Sequence, residues 1–198
     1  MTKSRMEAFS DGVIAVIITI MVLEMRAPLG ADISALKPLV PIFLSYVMSF
    51  VFLGIYWSNH HHMLQAVHSV NGRILWANLH LLFWLSLTPL VTNWMGETHF
   101  ARWPVAVYGI VLIFSAIAYY ILAHTLVAHH GAESTLAVAL GSDFKGRISI
   151  VLYAIAIALA FTAPLASCAV YAAVAIMWVI PDRRFENLLV GGATARRD

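Results

Sequence analysis

Polar side chains that could exchange protons or tie helices together occur inside stretches of the chain that are otherwise apolar. A polar group in hydrocarbon is costly, so each one is a functional hypothesis by default. Two of them come early in the first apolar stretch, two come early in the third, and two belong to the histidine run that closes the second. In that order they are Ser10, Asp11, Asn78, His80, His60 and His61.

The depths of these groups predict a shared polar layer. Asp11 lies about 7–8 Å inside its span if the helix rises 1.5 Å per residue, and His80 lies at about 9 Å. An ionised carboxylate at such a depth needs partners. We therefore expect Ser10, Asp11, His80 and a histidine of the second span at one level. Such a layer either fixes helix packing through hydrogen bonds or titrates as a switch, since a histidine beside a carboxylate can change charge near neutral pH.

Histidines elsewhere suggest a different chemistry. The chain has nine histidines, and the spacing of His124, His129 and His130 is similar to that in di-iron hydroxylases and desaturases. Imidazole is a good ligand for iron or zinc. Those enzymes need three histidine boxes, however, and the third is missing here. We therefore predict no metal site and no enzyme activity, and keep a histidine-rich membrane metalloenzyme as an alternative function.

Composition requires that these groups sit on membrane helices. Of the 198 residues, 61% are hydrophobic and only 11% are charged, with a mean hydropathy of +0.83. A soluble domain carries roughly 25% charged residues. The chain is therefore an all-α integral membrane protein in contact with a lipid bilayer. A net charge of +2 gives no reason to expect a nucleic-acid partner.

Hydropathy predicts six transmembrane helices in one domain over residues 1–182, followed by a basic cytosolic tail at 183–198. The last two spans come from one apolar stretch that is too long for a single crossing and has Pro164 near its middle; a single kinked helix is the alternative. The predicted spans are 6–25, 39–57, 74–95, 104–127, 148–163 and 166–180. With six spans both termini share a side. Nine lysines and arginines fall on that side and three on the other, which places both termini in the cytosol.

The first helix has two different faces. At 100° per residue, Gly12, Ile20 and Leu23 lie within about 40° of Val16, whereas Asp11 lies about 140° away. The polar residues therefore cannot share a face with this aliphatic stripe. On its own, such a stripe is typical of a helix that faces lipid or a protein core, and its periodicity does not prove a pore.

A motif at the start of this helix indicates a family. The segment Arg5–Asp11 has the pattern R-x-x-x-F-S-D, which includes Phe9 and Ser10. The second helix ends Y-W-S-N-H-H-H, and the third contains W-A-N-L-H-L-L-F-W-L-S-L-T-P-L. Together these segments resemble the transmembrane protein 175 family of potassium channels. The likeness is strong over the first three helices and rests on length and hydropathy over the last three.

The resemblance implies a homotetrameric channel of the bacterial plasma membrane that conducts K⁺ passively and needs no cofactor. In this family the first helix lines the pore and there is no re-entrant filter loop. The chain indeed has no T-V-G-Y-G segment. By position, the expected pore residues are Val16, Thr19, Ile20 and Leu23, whose aliphatic rings would form a hydrophobic gate.

Two expectations complete the interpretation. On a regular helix Arg5 points towards the pore mouth, where a bare cation would repel permeating ions. We expect it to pair with Glu7, Asp11 or a neighbouring subunit, unless the helix start is irregular. A small secondary transporter is the other alternative function, because Pro89 and Pro164 could break helices, although the sequence shows no internal repeat.

Overall fold

The computed structural model describes residues 2–141 and 143–179, and within these ranges the chain forms helices and no strand. The predicted basic tail at 183–198 and residue 180 of the predicted sixth span lie outside the described residues. A 3₁₀ helix, Ile33–Leu39, precedes the second α-helix. The α-helices are α1 Lys3–Leu23, α2 Val40–Gln65, α3 Gly72–Ser86, α4 Thr88–Glu97, α5 Arg102–His130, α6 Thr135–Leu140, α7 Phe144–Leu159 and α8 Pro164–Val179.

Helix length and composition make the chain a multi-pass membrane protein. Four helical segments are long and apolar enough to cross a membrane: α1, Ile33–Gln65, Gly72–Glu97 and α5. The predicted fifth and sixth spans correspond to α7 and α8, which have 16 residues each. An untilted span needs about 20 residues. Over the described residues the fold is therefore all-helical, with four candidate membrane spans.

Prolines set two of the helix boundaries. The sequence predicts one third span over 74–95, but the structure divides this stretch into α3 and α4 at Leu87. Pro89 lacks the N–H that would bind the carbonyl four residues earlier, so the helix is interrupted there. Pro164 occupies the first position of α8 after the turn at 160–163, where its fixed backbone angle suits a helix start.

The second helix is longer than predicted. The predicted span ends at residue 57, whereas α2 continues through the three histidines to Gln65. The extension is stable because His60 and His61 find partners on neighbouring helices. These side chains therefore lie within the bundle and not beyond its end.

The helices form a bundle with two apolar cores. The helix α1 packs on α2, α3 and α4, while α7 and α8 pack on each other, on α5 and on α2. One core surrounds α1 and α3 and includes Ile17 and Leu81. The other surrounds α5, α7 and α8 and includes Tyr108 and Tyr171. As a result α1 lies at one edge of the subunit and the α7–α8 pair lies at another.

Candidate functional site

A chain of three buried side chains ties the first three helices together. Asn78 donates from Nδ2 to the Ser10 hydroxyl over 2.9 Å, and its Oδ1 lies 2.7 Å from Nε2 of His60. All three residues are at most 1% exposed. Because the amide oxygen of Asn78 can only accept, Nε2 of His60 must carry the proton. Ser10 in turn donates to the carbonyl of Met6 over 2.9 Å.

A second, more exposed layer holds the two carboxylates at the start of α1. Trp57 Nε1 donates to Asp11 Oδ1 over 3.0 Å, and His61 Nδ1 lies 3.1 Å from Glu7 Oε1. Gln65 Nε2 donates to the other ring nitrogen of His61 over 2.8 Å. One neutral tautomer of His61, protonated on Nδ1, satisfies both contacts. The ring of His61 also stacks on Trp57 at an interplanar angle of 17°.

His80 does not belong to this polar layer. Its ring is exposed, and Nε2 accepts a hydrogen bond from Trp84 Nε1 on its own helix at 3.0 Å. Two positions along an α-helix correspond to a turn of about 200°. When Asn78 faces α1, His80 must therefore face away from it. The structure thus brings Ser10, Asn78 and His60 together, puts Asp11 beside Trp57, and leaves His80 outside.

Two contacts of this region are absent from the sequence-based prediction. The sequence did not point to Trp57 as the partner of Asp11, since its ring could equally serve at a membrane interface. Lys3 donates from Nζ to the carbonyl of Val67 over 3.0 Å, which ties the start of α1 to the α2–α3 loop. A hydrogen bond to a backbone carbonyl does not depend on the type of the accepting residue, so the sequence does not predict the bond between Lys3 and Val67.

Within the subunit, Arg5 has neither of the two partners predicted from its own helix. Glu7 is engaged by His61 and Asp11 by Trp57. Among the described residues, the salt-bridge contact between His61 and Glu7 is the only one found. Arg5 itself is exposed, as is Phe9 of the same motif at 49%. The helix is continuous from Lys3 through Arg5, so an irregular start is not seen and a contact across a subunit boundary is the remaining prediction for this guanidinium group.

The four residues expected in a pore share the uncovered face of α1. Val16, Ile20 and Leu23 are 55%, 40% and 78% exposed, and Thr19 is exposed as well. The opposite face is buried through Ile14, Ile17 and Met21. The Thr19 hydroxyl donates to the Val16 carbonyl over 2.9 Å, so its oxygen lone pairs remain free to accept. No other described part of the subunit covers this face.

Acidic side chains follow the stripe at its far end. A polar cavity with an empty volume of 600 Å³ is lined by Ile20, Leu23, Asn93 and three charged residues, Glu24, Arg26 and Glu97. Two carboxylates against one guanidinium give this end of the stripe an excess of negative charge. Such a surface raises the local concentration of cations.

The histidines that suggested an enzyme have other contacts. His130 Nδ1 binds the Leu126 carbonyl at 2.9 Å, and its Nε2 accepts from the backbone N–H groups of His68 and Ser69 at 3.4 Å. His129 contacts the side chains of Ser69 and Asn71, each at 3.2 Å. In the described ranges, no group of three or more histidine, cysteine, aspartate or glutamate side chains is placed to hold a metal ion.

Comparison with known proteins gives concordant similarities. Residues 5–89 match the family model of the endosomal/lysosomal potassium channel TMEM175. A potassium channel of Chryseobacterium sp. is 55% identical over 96% of this chain and 98% of its own length. A potassium channel of Streptomyces collinus is 32% identical over 59% of this chain and 61% of its own.

The fold is also similar to a solved structure. The crystal structure of a lysosomal potassium-selective channel TMEM175 homologue from Chamaesiphon minutus superposes with a TM-score of 0.78 at 29% identity. The match covers 90% of this chain and 96% of that one. The mouse endosomal/lysosomal proton channel TMEM175 is 28% identical over 82% of this chain, which spans 36% of the mouse protein.

Proposed function

Because the chain belongs to the TMEM175 family of ion channels, we propose that it is a potassium channel that conducts K⁺ passively across the bacterial plasma membrane. The bacterial relatives named above are potassium channels, and the likeness to the Chryseobacterium protein extends over nearly the whole of both chains. The solved homologue from Chamaesiphon minutus is a potassium-selective channel. A channel needs neither a cofactor nor a catalytic residue.

The proposed assembly is a homotetramer of six-helix subunits with α1 at the central axis. In this arrangement α7 and α8 form the last two crossings, joined by the turn at 160–163, and tilt little because each is short. Both termini lie in the cytosol, as the distribution of lysine and arginine favours. The polar layer around Ser10 then lies in the cytosolic half of the bundle.

The observation that carries the proposal is the contrast between the two faces of α1. Its polar residues are bound to α2 and α3 inside the subunit, whereas none of the described residues of the subunit covers the aliphatic stripe. Four copies around an axis would turn Val16, Ile20 and Leu23 into stacked apolar rings. Rings of this kind form a narrow constriction that gates by dewetting, and the Thr19 oxygen offers a polar contact between them.

The pore assignment is tested by thiol block of K⁺ flux into liposomes. The background is Cys168→Ser, because Cys168 is the only cysteine of the chain. Ile20→Cys and Leu23→Cys should each make flux sensitive to a water-soluble thiol reagent, with a loss of about tenfold or more because the adduct occupies the constriction. Ile14→Cys is the matched control, since Ile14 is 3% exposed and lies about 160° around the helix from Val16.

The outcomes separate the rival functions. Flux without thiol block at either position would leave a channel but remove α1 from the pore wall. Flux that requires a counter-substrate and lacks single-channel steps would favour a secondary transporter. Stoichiometric iron in the purified protein, with no flux, would favour the metalloenzyme.

A further inference from the structure

We propose that each subunit carries a binding site for an alkylammonium group, in a cavity walled by aromatic rings with the carboxylate of Asp143 at one end. The cavity lies between α2, α5, α7 and α8, at the end of the bundle where α1 begins, and α1 contributes nothing to it. The site is therefore separate from the proposed pore, and the inference does not rest on the proposed function.

Aromatic rings from four helices form the wall. The cavity has an empty volume of 470 Å³, including its opening. Tyr56 packs edge to face on Tyr119 with ring centroids 6.1 Å apart, and Phe52 packs on Tyr153 in the same way at 6.3 Å. These contacts hold the rings in place. The lining aromatic residues are Phe52, Tyr56, Tyr119, Tyr120, Tyr153 and Trp178.

Two polar groups of the wall are already turned towards the protein. Trp178 Nε1 donates to Ser149 Oγ over 2.8 Å, and the hydroxyl of Tyr119 donates to the Asn59 carbonyl over 3.5 Å. These donors are therefore not available to a ligand. Apart from the hydroxyl groups of Tyr56, Tyr120 and Tyr153, the wall offers mainly ring surface, which carries a negative quadrupole and attracts cations.

Asp143 supplies the negative charge of the cavity. It precedes the first residue of α7 with a left-handed backbone, φ 45° and ψ 41°, and its carboxylate lies over Gly146. A Cβ atom at Gly146 would be 2.6 Å from Oδ1 of Asp143, so a larger residue there would require the carboxylate to shift. Burial raises the pKa of Asp143, and this is offset only in part by the hydrogen bond that its carboxylate accepts from the Gly146 backbone N–H and by the nearby charges of His124 and Arg147. Burial disfavours the charged form of this half-buried carboxylate, and a cation that enters the cavity would stabilise that form.

The combination of rings and one carboxylate selects the class of cation. An alkali ion needs a shell of oxygen atoms in place of its water, and a wall made mainly of rings does not provide one. An alkylammonium group places its N–H donors on the carboxylate and its alkyl part against the rings. Such a group can come from a free amine or from the ethanolamine headgroup of a lipid.

The test measures binding directly. The purified full-length protein in detergent is titrated by calorimetry with n-butylammonium and with 1-butanol, which has similar shape and no charge. We expect butylammonium to bind and butanol to bind about tenfold more weakly or worse. Asp143→Asn should weaken butylammonium binding about tenfold, because the amide keeps the shape but loses the charge. Glu133→Gln is the matched control on the neighbouring α5–α6 loop, where Glu133 is exposed, and should bind as the wild type does.

A second variant and a lipid arm complete the design. Ala116 lines the cavity, so Ala116→Leu should fill it and abolish binding even if Asp143→Asn fails to fold. Native mass spectrometry with phosphatidylethanolamine and phosphatidylglycerol distinguishes the sources: selective, Asp143-dependent retention of the first identifies the lipid headgroup, and its absence identifies a free amine. Equal binding of butanol, equal competition by K⁺, or unchanged binding by Asp143→Asn or Ala116→Leu would each overturn the proposal.

Discussion

Asn78 is the residue on which the polar layer of α1 depends. Its amide uses both ends, accepting from His60 and donating to Ser10, and so joins three helices with one side chain. Hydrogen bonds between membrane helices contribute about 0.6–2 kcal/mol each. The layer therefore stabilises the arrangement of α1, α2 and α3 by a few such increments and fixes which face of α1 points inward.

Replacing this amide should destabilise the subunit. Asn78→Leu keeps a side chain of similar size but leaves the buried His60 N–H without an acceptor, at a cost of about 1–3 kcal/mol. It also removes the hydrogen bond that Ser10 accepts, while Ser10 keeps its bond to the Met6 carbonyl. We expect a lower melting temperature in detergent, measured by differential scanning fluorimetry. His80→Leu, two residues along on the exposed side, should change stability by less than about 0.5 kcal/mol. An equal loss in the two variants would mean that His80 shares the layer after all.

At this scale the sequence predicts which residues matter better than what they contact. Polar side chains in an apolar stretch identify Ser10, Asp11, Asn78 and His60, since hydrocarbon tolerates them only when they have partners. Depth along a helix, however, gives the level of a residue and not its rotation towards a neighbour. For that reason His80 was expected in a layer that in fact takes Asn78.

Close approach between α2 and α4 depends on a glycine. A Cβ atom on Gly96 would lie 2.6 Å from the Cα atom of Ile42 and 2.7 Å from the Ser45 hydroxyl. Backbone cannot move aside as a flexible side chain can, so the two helices can touch only because Gly96 has no side chain. Small residues at helix contacts serve this purpose in membrane proteins generally.

Adding one methyl group at this contact should push the helices apart. Gly96→Ala is expected to lower stability by roughly 1–3 kcal/mol, the usual cost of overpacking. Gly54→Ala is the matched control, because nothing lies within 4 Å of a Cβ atom there. It should be neutral, or stabilising by up to about 1 kcal/mol through helix propensity. Thermal unfolding of the two variants side by side measures the difference in stability. Identical melting temperatures would show that α2 and α4 can move apart without loss of stability.

At the scale of elements, hydropathy identifies the apolar stretches but not where each helix stops. Pro164 marks a helix start because proline is suited to the first position. The continuation of α2 beyond the histidines to Gln65 could not be predicted from hydropathy, since these residues are polar and two of the histidines find partners on α1 and α3. The interruption at Leu87 could not be predicted either. A proline such as Pro89 is often accommodated inside a membrane helix, and whether it interrupts the helix depends on the neighbouring helices.

The whole subunit is asymmetric. Helix α1 and its core lie at one edge, and α7 and α8 surround the other core. The large aliphatic side chains left exposed on α1 are therefore far in the fold from those on α8, where Leu165 is 69% exposed. If copies of the subunit assemble around α1, the exposed surface of α1 lies near the same surface of the other copies, and the exposed surface of α8 does not.

Oxidative cross-linking distinguishes the two edges. In the Cys168→Ser background, Ile20→Cys should form disulfide-linked dimers under mild oxidation, because four copies of this position meet around the axis within the few ångströms that a disulfide spans. Leu165→Cys should remain monomeric on a denaturing gel. The mass of the intact assembly in detergent, measured by native mass spectrometry, should be four times 21.8 kDa. Cross-linking through Leu165→Cys alone would place the axis at the opposite edge.

The number of copies is a property that one chain encodes only indirectly. An uncovered aliphatic stripe follows from the order of residues in α1, and Val16, Ile20 and Leu23 were predicted to share a face from the helical repeat alone. The symmetry that would bring such stripes together depends on contacts between copies, which helical periodicity does not specify.

The bonds that hold α1 are unevenly distributed along its length. Lys3, Glu7, Ser10 and Asp11 all bond to other parts of the subunit. Beyond Asp11, among the described residues, the one side-chain hydrogen bond to another helix runs from Thr92 to the sulfur of Met21, at 3.9 Å. A tilt of α1 about these bonds would therefore move its far end most. Leu23 lies about 18 Å beyond Asp11 along the helix, so a tilt of about 10° about Asp11 would move it by about 3 Å.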